Sequence, residues 1–256
     1  MTNWNAEHYL KYGDERTRAA VDLANRIRFD SPQSIVDLGC GPGNSTRVLR
    51  HRWPTSAIIG IDNSEEMIEA AKGAYPDEKW QLADISCWSP AEPFNLIYSN
   101  AALQWITDHA TLIPALFNAV APSGALAFQI PSSTYALVRT LIHEISQKPV
   151  WTDEMETPRT ALTMESPTFY YDVLAANASE LDIWETEYCH VMDSPDAIVD
   201  WIASTGLRPF LAVLNSDEQR AKFVSELKQR VHESYETRVD GKVLFDFRRT
   251  FVIAYR

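Results

Sequence analysis

Ser34-Ile-Val-Asp-Leu-Gly-Cys-Gly-Pro-Gly-Asn44 decides the fold. A short β-branched run leads into an acidic residue, three glycines at alternate positions and then a helix. A glycine-rich loop between a strand and a helix lets a ligand lie against bare backbone. A dinucleotide fingerprint would need Gly-x-Gly-x-x-Gly with phosphates at the helix N-terminus. Read from Gly39, its last glycine falls on Asn44; read from Gly41, it falls on Thr46. Neither register fits. What remains is Asp37-x-Gly39-x-Gly41-x-Gly43. Asp37, near the strand end, is an anion suited to a ligand's ammonium, and the missing side chains at Gly39, Gly41 and Gly43 allow close approach.

Outward from this loop, strand and helix patterns alternate as far as Gln129, the signature of successive βαβ units and a parallel sheet. Ser34–Leu38, Ala57–Ile61, Lys79–Ala83, Phe94–Ser99 and Ala125–Ile130 read as strands. Asn44–Arg52, the segment from Ser64 through Lys72, and Asp108–Val120 read as helices, with Ser64 a cap and Glu65 and Glu66 in the first turn. Beyond Pro131, Tyr135–Gln147 is expected to be helical and Lys148–Pro167, rich in Pro, Thr and Glu, to be a long loop. Thr168–Ala178 then reads as a helix and Leu181–Met192 as a strand. Ser194–Gly206 is a capped helix with Pro195 at its first position, Ser216–Tyr235 a long amphipathic helix and Asp246–Tyr255 a final strand. The last two strands make an antiparallel hairpin. The segment between them is too long for a hairpin loop and is expected to fold over the site as a cap.

The chain has 256 residues, 45% of them hydrophobic, enough for one α/β domain with an insertion. Its N-terminus is polar, and no apolar run approaches membrane-spanning length. Three scattered cysteines, Cys40, Cys87 and Cys189, lack metal spacing and point to a reducing, cytoplasmic setting. A formal net charge of −12 argues against nucleic acid and against an anionic membrane surface. A small-molecule substrate and no metal are the expectation.

The glycine pattern resembles that of class I S-adenosylmethionine-dependent methyltransferases, where it cradles the methionine end of the cofactor. That resemblance implies an α/β, Rossmann-like class I methyltransferase fold: a seven-stranded, mostly parallel sheet with an antiparallel last strand and a helical cap insertion. The corresponding organisation is N-terminal lid helices over 1–30, a core over 31–193 and 241–256, and the cap over 194–240.

Ligands of open α/β sheets bind at the C-terminal strand ends. Asp62 ends the second strand and suits ribose hydroxyls; Asn63 and Met67 flank the adenine side. Asp84 is positioned to accept from the adenine amino group and Ile85 to cover the ring, although Asp84 also reads as a turn acid. Asn44 opens the helix after the loop. Asn100 and Ala101 offer backbone carbonyls to the cofactor's amine. Trp105 is either a wall beside the transferred methyl or a packed aromatic. In the N-terminal segment Trp4–Arg16, aromatics interleave with charges. It is either an amphipathic helix packed on the sheet or a lid, with Tyr9 or Tyr12 facing the sulfonium and Arg16 pairing the methionine carboxylate. His109 and His190 are isolated and read as structural.

From end to end the chain resembles the trans-aconitate 2-methyltransferase family. The residues that carry this are Trp4-Asn5 with Tyr9, Asp37–Thr46, Gly60-Ile-Asp62, Ala83-Asp-Ile85, Asn100-Ala-x-Leu-Gln-Trp105, Tyr170-Tyr-Asp172, Asp182-Ile-Trp184, Asp200-Trp201, Thr205–Pro209 and Phe247-x-Arg249. The resemblance implies methyl transfer to a carboxylate of trans-aconitate, a tricarboxylate, giving a monomethyl ester. A carboxylate is already a nucleophile, so no catalytic base is expected. Another carboxylate or a hydroxyl acceptor, and a non-catalytic cofactor-binding module, are the alternatives. A tricarboxylate requires cations, and arginine's planar fork suits carboxylates. Arg208 and Arg249 are the candidates. Strand alternation turns only one of Arg248 and Arg249 inward, and the resemblance favours Arg249. Tyr170 and Tyr171 are expected to donate phenol hydrogen bonds, and Trp201 to wall the pocket or pack the insertion.

Overall fold

The computed structural model describes residues 13–133, 137–151 and 155–256, with side chains described from Thr17 onward. Trp4, Tyr9 and Tyr12 lie outside the described residues, as does the side chain of Arg16. Seven strands form one sheet in the order β3-β2-β1-β4-β5-β7-β6. They are β1 (Ser34–Leu38), β2 (Ala57–Asp62), β3 (Lys79–Leu82), β4 (Phe94–Asn100), β5 (Val120–Pro131), β6 (Glu180–Met192) and β7 (Val243–Tyr255). β1 to β5 pair in parallel, while β7 runs antiparallel to both β5 and β6. The helices are α1 (Gly13–Arg26), α2 (Asn44–Arg52), α3 (Glu65–Ala74), α4 (His109–Asn118) and α5 (Leu137–Ser146). α6 (Glu156–Arg159), α7 (Pro167–Leu174), α8 (Pro195–Ala203), α9 (Arg208–Ala212) and α10 (Asp217–Ser234) follow.

Both sheet faces are covered, which is why the central strands read as unbroken apolar runs. Within β1, Ile35 joins a cluster with Leu23 of α1, Ile27 just beyond it and Leu49 of α2. Its neighbours Val36 and Leu38 join the opposite cluster, with Ile113 and Leu116 of α4 and Leu174 of α7. Ser64, Ser166, Ser194 and Ser216 each cap a helix by accepting an amide three residues on.

A third cluster lies off the sheet. Val138, Leu141 and Ile145 of α5 pack there with Ile198 and Trp201 of α8, Phe210 of α9 and Phe223 and Leu227 of α10. Its attachment to the sheet is the overhang of the last hairpin. β7 pairs with β5 only from Arg249 to Tyr255, and Val243–Arg248 pair with β6 alone. Met192, Val243 and Phe245 on that overhang belong to the third cluster.

Several elements differ from expectation. The expected loop over Lys148–Pro167 contains α6, and the stretch after Gly206 contains α9. Both are about one turn long, each with a single buried residue, Pro158 and Phe210, rather than a readable period. β7 begins at Val243 rather than Asp246, because Val243 and Phe245 have an apolar cluster to enter. β5 begins at Val120, where the end of a helix is expected, and reaches Ala125 through a register shift opposite Phe94 and Leu96.

Candidate active site

After Leu38 the chain turns through Gly39, Gly41 and Gly43 at φ of +72°, +54° and +96°, a left-handed region that disfavours side chains. The amides of Gly39 and Cys40 both donate to the Ile61 carbonyl, at 2.7 and 3.0 Å, tying the loop to the end of β2. The three glycines do different work. A Cβ on Gly39 would sit 2.1 Å from Ala102 Cβ, and one on Gly43 would meet Trp80 and Tyr75 at 2.8 Å. On Gly41 it would meet nothing within 4 Å. Gly39 and Gly43 are therefore bare against protein, where the sequence alone suggests ligand. Gly41 leaves open space.

Asp37 is wholly buried beneath this loop. Its Oδ2 accepts from Ser45 Oγ at 2.6 Å and Thr46 Oγ1 at 2.7 Å, while Oδ1 has no partner among the described residues. Burial pushes the carboxyl up to about 6, against the two hydroxyl bonds and with help from nearby Asp62. A buried carboxylate oxygen with spare capacity is what a cationic ligand group would satisfy. Asp62 braces the loop from β2: Oδ2 accepts the Gly41 amide and Oδ1 the Ser64 amide, both at 2.9 Å. Burial raises this carboxyl as well, with those amide bonds opposing. Each oxygen keeps a second lone pair for a ligand hydroxyl.

Asn63 is exposed and Met67 buried on α3. Asp84 is exposed and accepts the Ser86 amide at 2.8 Å, so it does cap a turn, with Ile85 buried beside it. A narrow cleft runs along the loop, lined by Gly39, Cys40, Asn44, Ser45 and Asn100 and closed by Thr17 and Ala20 of α1.

Asn100 also lines a second, larger cavity of about 130 Å³. It is the residue common to both, and its side-chain Oδ1 is buried without a partner among the described residues. Ala101 follows in a left-handed conformation at φ +55°, strained for a residue with a Cβ. The strained turn is held in place: the Ala101 amide donates to the Gln129 carbonyl at 2.8 Å, and the Gln104 Nε2 donates to the Ala101 carbonyl at 2.7 Å. Trp105 lines the same cavity.

The larger cavity lies between the C-terminal ends of β4 and β5 and the helices of the third cluster. Its walls include Ile142, Met164, Trp201 and Phe247. Its charged and titratable lining residues among those described are Arg139, His143, Arg159, Arg248 and Arg249, with no Asp or Glu among these described residues. Arg249 is 4% exposed and is the first residue of β7 that pairs with β5. Its Nη1 donates to Gln129 Oε1 at 3.2 Å, and its guanidinium lies over the Phe247 ring. Arg248 also lines the cavity, although strand alternation suggests only one of the two arginines would, and it pairs with Glu187 at 3.0 Å. Trp201 is both wall and core, its ring 4.8 Å from His190 and 5.9 Å from Phe245. Burial, with Arg249 and Arg18 close by, brings the His190 imidazole down to about 4.

Three expected substrate residues lie elsewhere. Tyr170 is fully buried, and its phenol is 2.7 Å from His109 Nδ1. His109 Nε2 is 2.9 Å from the Leu103 carbonyl, an acceptor, so Nε2 carries the proton and Nδ1 accepts from Tyr170. The Glu165 amide donates to the phenol at 3.4 Å. Burial lowers the His109 pKa, which keeps this relay neutral. Tyr170 thus braces the loop that carries Trp105 instead of facing substrate. Tyr171 is 55% exposed and outside the cavity. Arg208, half-buried on α9, is outside the cavity lining; burial lowers its pKa, and Glu66 on α3 opposes that. Sequence reasoning passed over Arg139, Arg159, Gln104 and Gln129. Gln129 left a signal: it is the polar residue that interrupts the apolar run Ala125–Ile130.

A family model described as a methyltransferase domain matches residues 9–177. With the strand order and the antiparallel β7, this makes the chain a class I S-adenosylmethionine-dependent methyltransferase. The fold is shared with coclaurine N-methyltransferase bound to N-methylheliamine and S-adenosylhomocysteine, at a TM-score of 0.58 and 16% identity over 94% of this chain and 73% of that one. Over its full length the chain is 42% identical to trans-aconitate 2-methyltransferase of Azoarcus sp., covering 100% of both chains. It is likewise 42% identical to the protein of that name from Variovorax paradoxus, covering 100% of this chain and 99% of that one. The chain belongs to the trans-aconitate 2-methyltransferase family.

Proposed function

We propose that this enzyme transfers a methyl group from S-adenosylmethionine to one carboxylate of trans-aconitate, releasing the monomethyl ester and S-adenosylhomocysteine. One observation carries the choice of acceptor. In a chain of net charge −12, the larger cavity has only basic charged residues among its described lining. An acidic protein concentrates cations at one place when an anion has to be held there.

The cofactor fits the narrow cleft by chemistry. Gly41 presents an open cradle, Asp37 Oδ1 and Asn100 Oδ1 offer buried acceptors, and Asp62 stands at the strand end where ribose hydroxyls are held. S-adenosylmethionine, when bound, supplies its methyl as an electrophile on a cationic sulfur. Asp37 and the carbonyls at Asn100 and Ala101 hold the ammonium, with Gly39, Gly43 and Asn44 shaping the cleft. Asn63, Met67, Asp84 and Ile85 serve the adenine. Because Asn100 lines both spaces, the acceptor meets the cofactor at that residue.

The acceptor carboxylate is ionised at neutral pH and needs neither base nor metal. The protein's work is alignment and removal of water. Arg249 holds a carboxylate from the floor, Trp105 and Trp201 wall the space, and the insertion over 194–240 covers it as a cap. Such an enzyme serves a small-molecule acid in the cytoplasm. Incubation with trans-aconitate, cis-aconitate, isocitrate and citrate, with products mapped by mass spectrometry, tests this reading. A monomethyl ester of trans-aconitate is expected, and no ester with any of the four overturns the substrate assignment.

A further inference from the structure

The cavity's cations come from two separate parts of the chain. Arg249 stands on the sheet, fixed to Gln129 where β7 begins to pair with β5. Arg139 and Arg159 stand on α5 and α6, in the segment between β5 and α7. Both are half-buried, and both are anchored. Arg159 Nη1 donates to the Ser146 carbonyl at 2.8 Å, at the end of α5, and Arg139 Nη1 lies 2.7 Å from Met164 Sδ. α5 is itself locked into the third apolar cluster through Val138, Leu141 and Ile145. A guanidinium held this way has little rotamer freedom left to lose, so it grips a carboxylate with less entropic penalty. One fixed cation on the floor would suffice for a monocarboxylate. Two more on the facing helices match an acid with further carboxylates pointing away from the transferred methyl.

We infer that Arg139 and Arg159 form a second carboxylate grip that holds the non-reacting carboxylates of the acceptor. This grip sets both the preference for a tricarboxylate and the carboxylate that receives the methyl. The inference rests on the carboxylate-methylation reading and adds to it the residues that decide selectivity.

The test compares trans-aconitate with mesaconate, which keeps the unsaturated dicarboxylate but lacks the third carboxylate arm. In Arg139→Gln and Arg159→Gln, kcat/KM for trans-aconitate should fall at least about tenfold further than kcat/KM for mesaconate. The trans-aconitate product should also contain a second monomethyl regioisomer by NMR. Arg159→Lys, which keeps a donor for Ser146 and a charge, should recover part of the loss and carries the test if Arg159→Gln does not fold. Melting temperature and S-adenosylhomocysteine affinity report folding and the cofactor cleft. Equal losses on both acids with a single regioisomer, or no loss at all, overturn the second grip. A wild-type enzyme that esterifies none of these acids overturns the underlying reading instead.

Discussion

The two cavities that meet at Asn100 are built in opposite ways. The narrow cleft is built at strand ends: Gly39, Cys40, Asn44 and Ser45 follow β1, Asp62 at the end of β2 braces that loop, and Asn100 ends β4. Its contacts are largely backbone, such as the Gly41 amide on Asp62 and the Gly39 amide on Ile61. The larger cavity gathers Arg139 and Arg159 from one part of the chain and Arg249 from another, distant in sequence, and holds them by side-chain contacts with Met164, Ser146 and Gln129. The first is rigid because the backbone leaves it no choice, whereas the second exists only because the hairpin overhang and α5 to α10 close on one another. Such a division lets one cofactor site serve many acceptors, since the acceptor side varies without disturbing the loop.

Substitutions that strike one cavity and spare the other test this contrast. The largest effect is expected at Arg249. Arg249→Met should raise KM for trans-aconitate by about 2–5 kcal/mol of lost binding, leaving S-adenosylhomocysteine affinity near wild type by calorimetry. Arg208→Ala, at a half-buried residue outside the cavity lining, should raise that KM far less than Arg249→Met does. An Arg208 effect as large as that of Arg249 would place Arg208 at the acceptor as well.

The glycine loop offers the next contrast. Gly39→Ala should lower stability by about 2–4 kcal/mol, combining the left-handed φ with the overlap on Ala102. Gly41→Ala meets no protein atom and should cost only about 1–2 kcal/mol of stability, yet weaken S-adenosylhomocysteine binding more than Gly39→Ala does in its folded fraction. Thermal melts and binding isotherms of the two variants read these effects separately.

The mildest effect concerns pH. The raised Asp37 value means that the folded protein holds this proton more tightly than the unfolded chain. The anion therefore weakens the fold progressively from pH 3.8 to about 6, and by a constant amount above that. A cationic ligand group reverses the preference. Affinity for S-adenosylhomocysteine, which carries the ammonium, should be full above about pH 6 and fall up to about tenfold per unit below it. Asp37→Asn should flatten that profile, and a flat wild-type profile would remove Asp37 from the ammonium's binding.

How much of each cavity was readable follows the same line. Asp37, Asp62 and Asn100 stand out in the sequence because each follows an apolar run and precedes a helix or turn. Arg249 was legible through family resemblance. Tyr170 was misleading: a tyrosine beside another tyrosine looks like a pair of donors, and only packing shows that His109 takes the first while solvent takes the second. Arg139 and Arg159 carried no local mark. Arg139 sits on the polar edge of an ordinary amphipathic helix, and Arg159 in a one-turn helix inside a Pro- and Thr-rich stretch.

By itself the sequence determined the parallel βαβ core, the glycine loop and the cofactor class, because a left-handed turn between strand and helix is a local conformational demand that few residues meet. Only the tertiary structure decided which glycine faces open space, which tyrosine is a brace and which arginines share a cavity. Those outcomes depend on the direction of each side chain from its element, and that direction is set by the apolar clusters on which the elements close.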